Sequence, residues 1–165
     1  VTAVSLAMGA LDIMFPILKA YPFDSLISHN RFTLLNRSAG PMFDYAQKQS
    51  IAVFNAAPYA GGVLAKGSHD MPKITIGRGR QAIETHKGFG GDLCPAQYPI
   101  GSRRITIFSK IESRHIQIVG VSRPERIDET LEWAALKISE AALVELARPS
   151  YDLDDPEANR LSKPC

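Results

Sequence analysis

A run of small residues is the strongest candidate for ligand chemistry in this chain. Residues 51–57 are largely apolar, as expected for a buried strand, and they are followed at once by Pro58, Tyr59, Ala60, Gly61 and Gly62. Small side chains allow backbone N–H groups to approach phosphate oxygens closely. The same run would also form a tight turn that binds no ligand, and the residues alone leave both interpretations open.

Alternating strand and helix patterns surround this loop. Strands are expected in four short apolar stretches, at residues 1–7, 23–30, 51–57 and 116–121. Helices are expected at residues 10–20, 38–48, 122–137 and 140–148. Pro16 should kink or shorten the first helix, Ser38 is a candidate N-cap of the second, and Pro124 suits the first turn of the third.

This alternation predicts an α/β fold with a parallel sheet, and it does not separate an open sheet from part of a barrel. In both architectures, ligands bind at the loops that follow the carboxyl ends of the strands. The small-residue loop after residues 51–57 has that position. We therefore expect the functional edge of the molecule to lie there.

The composition bounds the class of protein. The 165 residues suffice for one domain, and 45% hydrophobic with 22% charged residues is typical of a soluble globular chain. A net charge of +2 gives no argument for nucleic acid or for an anionic membrane, and no apolar run reaches the ~20 residues of a membrane span. The absence of a secretory signal and two widely separated cysteines, Cys94 and Cys165, favour a cytoplasmic location. The first residue is Val1 instead of Met, which suggests a fragment or a processed chain.

Residues 68–114 interrupt the alternation with clusters of Gly, Pro and Arg. The motifs ITIGRGR and GFGG match an anion-binding turn and a phosphate loop only weakly, because neither lies between a strand and a helix. If residues 88–110 were encoded one nucleotide out of frame, codon degeneracy would permit the string ALEEICARHNIPLGAAALQFSL. That string would form a helix, a turn and an Ala-rich helix. We hypothesise that this irregular segment is frameshifted, and sequencing of the coding DNA tests the idea.

Two stretches of the chain resemble the aldo/keto reductases. FDSLISHNRFTLLNRSA, followed by a helix and IAVFNAAPYAGGVLA, is similar to the family's sixth and seventh strands, and IVGVSRPERIDETL is similar to its eighth strand and the next helix. The ending DDPEANR resembles the branch that oxidises L-fucose, D-threo-aldoses or pyridoxal. The shifted string is similar to the family's seventh-helix region. The likeness covers residues 1–64 and 118–160.

The resemblance implies a fold and indicates which half of that fold holds the catalytic residues. Residues 1–148 would form the second half, strands 5–8, of a (β/α)8 TIM barrel, and residues 149–165 a C-terminal tail. The family's catalytic Asp, Tyr, Lys and His belong to the first half, and His29, His69, His86 and His115 do not match that His. No catalytic residue and no metal ligand are therefore expected here, and the chain alone should be inactive and need the missing N-terminal half. The alternative is a non-catalytic half-barrel that binds a nucleotide or pairs with a partner.

The resemblance also implies a nicotinamide cofactor, NAD or NADP, beside a small sugar or pyridoxal substrate. The loop Pro58, Tyr59, Ala60, Gly61 and Gly62 would wrap the pyrophosphate. The adenosine end would contact Ser122, Arg123, Arg126, Glu129 and Thr130, with Arg126 stacking on or pairing with it and Glu129 accepting from the adenine amine. Without the resemblance, those residues would favour a solvated helix start with charge pairs three positions apart.

Three departures from the family pattern bear on the cofactor. His29 and Gly9 stand where the family often has the Gln and Asn that contact the nicotinamide carboxamide. Gly120 stands where many members carry a Lys that pairs with the 2′-phosphate of NADP. NAD is therefore slightly favoured, although Arg123 would be able to replace that Lys.

Overall fold

The described part of the chain holds four strands and three helices. The computed structural model describes residues 2–7, 9–59, 115–137, 139, 151 and 153–155. The strands are β1 (Ser5–Ala7), β2 (Ser25–His29), β3 (Ala52–Ala56) and β4 (Ile116–Ile118), and the helices are α1 (Leu11–Ala20), α2 (Gly40–Lys48) and α3 (Arg126–Ala135). Each element lies within a stretch where the sequence predicts it, with shorter bounds. The predicted helix at 140–148 and the irregular segment at 68–114 lie outside the described residues.

The strands form one parallel sheet in the order β1–β2–β3–β4. Leu26 of β2 lies beside Leu6 of β1 and Val53 of β3. Parallel neighbours need a crossover connection, and α1 and α2 lie on the connections between β1, β2 and β3. The predicted α/β class and parallel sheet are confirmed by this topology.

One face of the sheet forms the core with the crossover helices. Met14 and Leu18 in α1 are four residues apart, as are Met42 and Ala46 in α2, so each pair lies on one side of its helix. The buried apolar cluster consists of Leu6, Met14, Leu18, Leu26, Phe32, Leu34, Ala39, Met42, Phe43, Ala46 and Val53. This cluster holds the helices on the sheet and keeps the strand ends in fixed register.

The opposite face of the sheet is only partly covered. Successive strand side chains point to opposite faces, so Ile27 and Phe54 face away from the core that contains Leu26 and Val53. Both are only partly buried, and Ile116 at the same level of β4 is 53% exposed. Parallel sheets are normally covered on both faces. This second face therefore carries apolar surface that the chain leaves partly open to solvent.

The start of α2 differs from the sequence prediction. The helix begins at Gly40 with Ala39 as its N-cap, and Pro41 occupies its first turn as expected. Ser38 is not the cap, because its hydroxyl lies 2.7 Å from Asn36 Oδ1 and donates to it. The Ser38 hydroxyl, which the sequence prediction assigned to the helix start, is thus bonded within the preceding loop.

Pro16 lies inside α1 and does not shorten it. The helix continues past it to Ala20. Pro16 cannot donate to the carbonyl of Asp12 four residues earlier. Both residues are exposed, so water can hydrate that carbonyl.

The third helix, α3, is the least covered of the three described. It begins at Arg126 with Glu125 as N-cap, so Pro124 precedes the helix and does not lie in its first turn. None of its residues is buried, and Ile127 and Leu131 are 50% and 62% exposed. Among the described residues, no helix combines the length and apolarity that a membrane crossing requires.

Candidate functional site

The carboxyl ends of β2, β3 and β4 meet at one edge of the sheet. His29, Ala56 and Ile118 are the last residues of these strands and lie side by side in register. The segments that follow them therefore leave the sheet at a common edge, where parallel α/β folds bind ligands. The sequence prediction places its candidate residues in these segments.

Two consecutive strands end in the same way. Asn30 and Ala57, each directly after its strand, have φ values of 60° and 57°. Asn30 N–H donates to the carbonyl of Ala56 and Ala57 N–H donates to that of Ile118, both at 3.2 Å. Asn tolerates the left-handed region, whereas Ala does so rarely, and such backbone strain is concentrated at functional sites. The left-handed residues turn both loops sharply as they leave the sheet.

His29 stands at this edge with its side chain exposed. It alternates with the buried Ser28, so it points to the face of the sheet away from the helices. Its backbone carbonyl accepts a hydrogen bond from Arg31 Nη1 at 2.9 Å. The ring is thus free to meet a ligand while the backbone beneath it is fixed.

Tyr59 connects the loop after β3 to α3. Pro58 is buried, and the Tyr59 hydroxyl is buried without a hydrogen-bond partner in the described part of the chain. Burial, and secondly the negative charge of Glu129, raise the pKa of Tyr59 to about 12. The side chain is therefore a neutral hydrogen-bond donor at physiological pH, and it lies within electrostatic reach of Glu129. The charge of Glu129, which the prediction assigned to the adenosine end, thus acts on Tyr59, which it assigned to the pyrophosphate.

The other predicted residues of the α3 segment are mostly exposed. Ser122, Arg123 and Arg126 present their side chains to solvent. Thr130 Oγ1 lies 2.7 Å from the carbonyl of Arg126 and donates to it, so only its lone pairs remain for a ligand. Ala60, Gly61 and Gly62 of the predicted pyrophosphate loop lie outside the described residues.

Sequence reasoning missed a row of polar side chains beneath this edge. Ser28, Asn55 and Gln117 lie side by side across β2, β3 and β4. Asn55 Nδ2 donates to the carbonyl of Phe32 at 2.8 Å and to Gln117 Oε1 at 2.9 Å. Each of the three is the next-to-last residue of its observed strand, but the predicted strand ends did not align them, so no such signal was available from the sequence. This row ties the loop after β2 to β4.

Sequence reasoning also missed a buried ion pair beside His29. Arg31 Nε lies 2.8 Å from Asp155 Oδ1, and the two side chains are 1% and 14% exposed. Asp155 Oδ2 accepts from the backbone N–H of Leu11, at the start of α1, at 3.1 Å. Nothing in the sequence pairs residues 31 and 155, although each lies in a stretch quoted for the family likeness.

The α/β fold of this chain, with its parallel sheet, is similar to that of solved aldo-keto reductases. One such structure is the apo form of aldo-keto reductase AKR11C1 from Bacillus halodurans, with a TM-score of 0.70 and 14% sequence identity over 94% of this chain and 53% of that chain. The holo form of the same enzyme gives a TM-score of 0.63 at 14% identity over 89% of this chain and 50% of that chain.

The chain therefore spans about half the length of the solved structures it matches. No protein-family model and no curated protein sequence matches it. At 14% identity, the likeness lies in the fold, and the parallel sheet is consistent with a partial TIM barrel.

Proposed function

We propose that this chain is the second half, strands 5–8, of an NAD(P)-dependent aldo/keto reductase barrel, with residues 149–165 as its tail. The parent enzyme oxidises an aldose, such as L-fucose or a D-threo-aldose, or pyridoxal. This half holds the cofactor, and the tetrad that transfers the proton belongs to the other half. The chain alone is then inactive and binds a nicotinamide nucleotide without turnover.

The observation that carries this proposal is the meeting of two successive loops at one edge of the sheet. Tyr59, after β3, lies within electrostatic reach of Glu129 on the helix after β4. His29 stands exposed at the end of β2 on the same edge. A dinucleotide is an elongated ligand, and a row of neighbouring strand ends suits its length.

The donor set fits the cofactor's chemistry. The neutral Tyr59 hydroxyl is buried without a described partner and can donate to a pyrophosphate oxygen. The sequence continues with Ala60, Gly61 and Gly62, whose small side chains suit the same role. Arg123 and Arg126 offer exposed guanidinium groups that can neutralise phosphate or stack on adenine. Glu129 accepts from the adenine amine, and Ser122 and Thr130 offer hydroxyl oxygens.

At the other end of the cofactor, His29 contacts the nicotinamide carboxamide. When bound, the nicotinamide ring supplies the hydride acceptor for oxidation of the substrate alcohol. The part of this chain is to bind and orient that ring. An imidazole offers one donor and one acceptor, as a carboxamide partner requires.

Nucleotide titration tests the proposal. Trp133 is the only tryptophan of the chain and lies one helical turn after Glu129, so its fluorescence should fall on binding of NADH or NADPH. Arg126→Gln should weaken binding about tenfold through loss of one charge-assisted contact. Lys48→Gln, which removes an exposed charge from the end of α2, is the matched control and should change nothing. Absence of binding by the parent chain at about millimolar nucleotide would contradict the proposed cofactor site.

Gly120 gives a test of the NAD preference. A Cβ built at this glycine meets no atom within 4 Å, so there is room for a side chain. Gly120→Lys should strengthen NADPH binding about tenfold and leave NADH binding unchanged, because the ammonium group can pair with the 2′-phosphate. Gly120→Met, which has similar length and no charge, should leave both affinities unchanged. Equal gains for both nucleotides would contradict the assignment.

The open sheet face favours a second candidate, a half-barrel that works only with a partner. Ile27 and Phe54 are partly buried, and Ile116 and Ile118 are exposed, on the face away from α1 and α2. Such a surface is a typical contact site for another protein. Sedimentation of the purified chain, alone and with the polypeptide encoded directly upstream, separates the two candidates. A nucleotide-binding monomer supports the first, and binding only in the complex supports the second.

A further inference from the structure

The C-terminal segment, defined here as Tyr151 and residues 153–155, lies on the loop after β2. Asn36 Nδ2 donates to the backbone carbonyl of Asp154 at 2.7 Å. The guanidinium of Arg37 lies 4.7 Å from the centre of the Tyr151 ring, within cation–π range. These contacts seat the segment beside the residues that connect β2 to α2.

Asp155 connects this segment to two elements at once. One carboxylate oxygen accepts from Arg31 Nε at 2.8 Å, and the other accepts from Leu11 N–H at 3.1 Å. Leu11 is the first residue of α1, where the helix dipole favours a negative charge. The carboxylate therefore joins the start of α1 to the end of β2.

The guanidinium of Arg31 connects Asp155 to the backbone of His29. Arg31 is 99% buried, since only 1% of its side chain is exposed, and a buried charge requires a charged or polar partner. Its Nε is held by Asp155, and its Nη1 donates to the carbonyl of His29 at 2.9 Å. Asn30, the residue between them, has a φ of 60°, so the turn is tight. Movement of the guanidinium would move the backbone beneath the His29 ring.

We propose that Asp155 and Arg31 are positioning residues for the nicotinamide end of the cofactor site. The C-terminal segment acts as a clasp that sets the orientation of His29 from a distance of more than 120 positions in the chain. This inference rests on the proposed function, because it assumes that His29 faces the nicotinamide carboxamide. Neither residue touches the cofactor in this scheme.

Two ligands separate positioning from general stability. NAD contains the nicotinamide ring, whereas ADP-ribose carries the same adenosine and pyrophosphate without it. Asp155→Asn keeps the size of the side chain and removes its charge. It should weaken NAD binding about tenfold, the worth of one hydrogen bond at the nicotinamide end, and leave ADP-ribose binding within about twofold.

The controls make each outcome decisive. Asp44→Asn removes the same charge from the exposed side of α2 and should change neither affinity. Equal weakening of both ligands by Asp155→Asn, or no change in either, would overturn the positioning role. If Asp155→Asn does not fold, Asp155→Glu is measured instead, and a smaller loss that is again confined to NAD is expected.

Failure of the proposed function gives a different result. If the parent chain binds neither ligand, the cofactor site is wrong, and the clasp is then tested by the NMR resonances of the His29 ring. Asp155→Asn should shift those resonances and Asp44→Asn should not. Unshifted His29 resonances in Asp155→Asn would overturn the clasp itself.

Discussion

The helices α2 and α3 have similar length and similar amphipathic patterns, and each follows a strand of the same sheet. α2 buries Met42, Phe43 and Ala46, whereas α3 buries none of its residues. The strands before them also differ. β2, before α2, lies between β1 and β3, whereas β4, before α3, is bonded only to β3 in the part of the chain that the structure describes.

The difference shows that an apolar stripe predicts which face of a helix would be buried. It does not predict whether a neighbouring strand is present for that face to pack against. α2 lies against strands that are themselves flanked, so its stripe meets the buried faces of Leu26 and Val53. α3 follows the last strand of the described sheet, where such a surface would have to come from residues outside that sheet. In a closed barrel, the helix after the last strand packs beside the first strand.

The largest expected effect comes from truncating each helix at an apolar position. Phe43 is 1% exposed and its ring lies 4.8 Å from Phe32 and 4.9 Å from His115, centre to centre. Phe43→Ala should lower the free energy of unfolding by about 3–5 kcal/mol. Leu131→Ala in α3 should change it by less than about 0.5 kcal/mol, because the side chain is already in water. Urea denaturation measures both, and equal losses would mean that α3 is covered after all.

A smaller loss is expected from the residue that joins the two regions. Asn55 is fully buried and donates to both Phe32 O and Gln117 Oε1, so Asn55→Ala should cost about 2 kcal/mol by removing two buried hydrogen bonds. Amide exchange should rise at Ala57, whose N–H bonds to Ile118, and stay unchanged at Met14 in α1. If exchange rises equally at both amides, the strand ends beside β4 and the core around α1 open together and not separately.

The end of α2 offers a gain in stability that α3 does not share. Ser50 has a φ of 58°, and the chain there bonds back to the helix from Ser50 N–H to Gln47 and from Ile51 N–H to Ala46. Glycine is the preferred residue at this position. Ser50→Gly should therefore raise the free energy of unfolding by about 1 kcal/mol.

The matched control for this gain is the preceding residue. Gln49 has a φ of −94°, so Gln49→Gly should lower stability slightly through added freedom of the unfolded chain. Thermal melts of the two variants should move in opposite directions. A lower melting temperature for Ser50→Gly would show that this helix end is not formed in solution.

The smallest expected effect concerns the pKa of Tyr59, in the loop after β3, which depends on burial and on the charge of Glu129 in α3. Tyr59 binds its proton more tightly in the folded chain, where its pKa is about 12, than in the unfolded chain, where it is about 10. Its contribution to stability is therefore fully present below pH about 10 and is lost as the pH rises through about 12. The difference in tyrosinate absorbance between the parent and Tyr59→Phe measures this pKa. Glu129→Gln should lower it, and ionisation of Tyr59 near pH 10 in the parent would show that this side chain is not buried in solution.

Much of the fold could be predicted because periodicity reports burial directly. The four strands and the crossover helices α1 and α2 lie within the stretches expected from apolar spacing. Helix starts were harder, since Ser38 has two competing partners and bonds to Asn36, which sequence alone does not reveal. The length of α1 was also hard to predict, because the effect of Pro16 depends on whether the freed carbonyl of Asp12 reaches water.

The site was predictable only in part, because its residues come from distant positions. The loop at Pro58 and Tyr59 and the exposed end at His29 follow from strand ends. The polar row through Asn55 requires the register between strands, and the pairing of Arg31 with Asp155 requires the path of the tail. Neither is encoded in local spacing.

The ion pair between Arg31 and Asp155 also has a consequence for the order of synthesis. A ribosome adds about 5–20 residues per second, so the 124 positions between the two residues take about 6–25 s to make. During that interval the ion pair cannot form, and Arg31 Nε lacks the carboxylate that it contacts in the finished chain. A chain whose reading frame is not restored before codon 155 never acquires that carboxylate. In such a chain, the guanidinium that donates to the His29 carbonyl would not be held by Asp155.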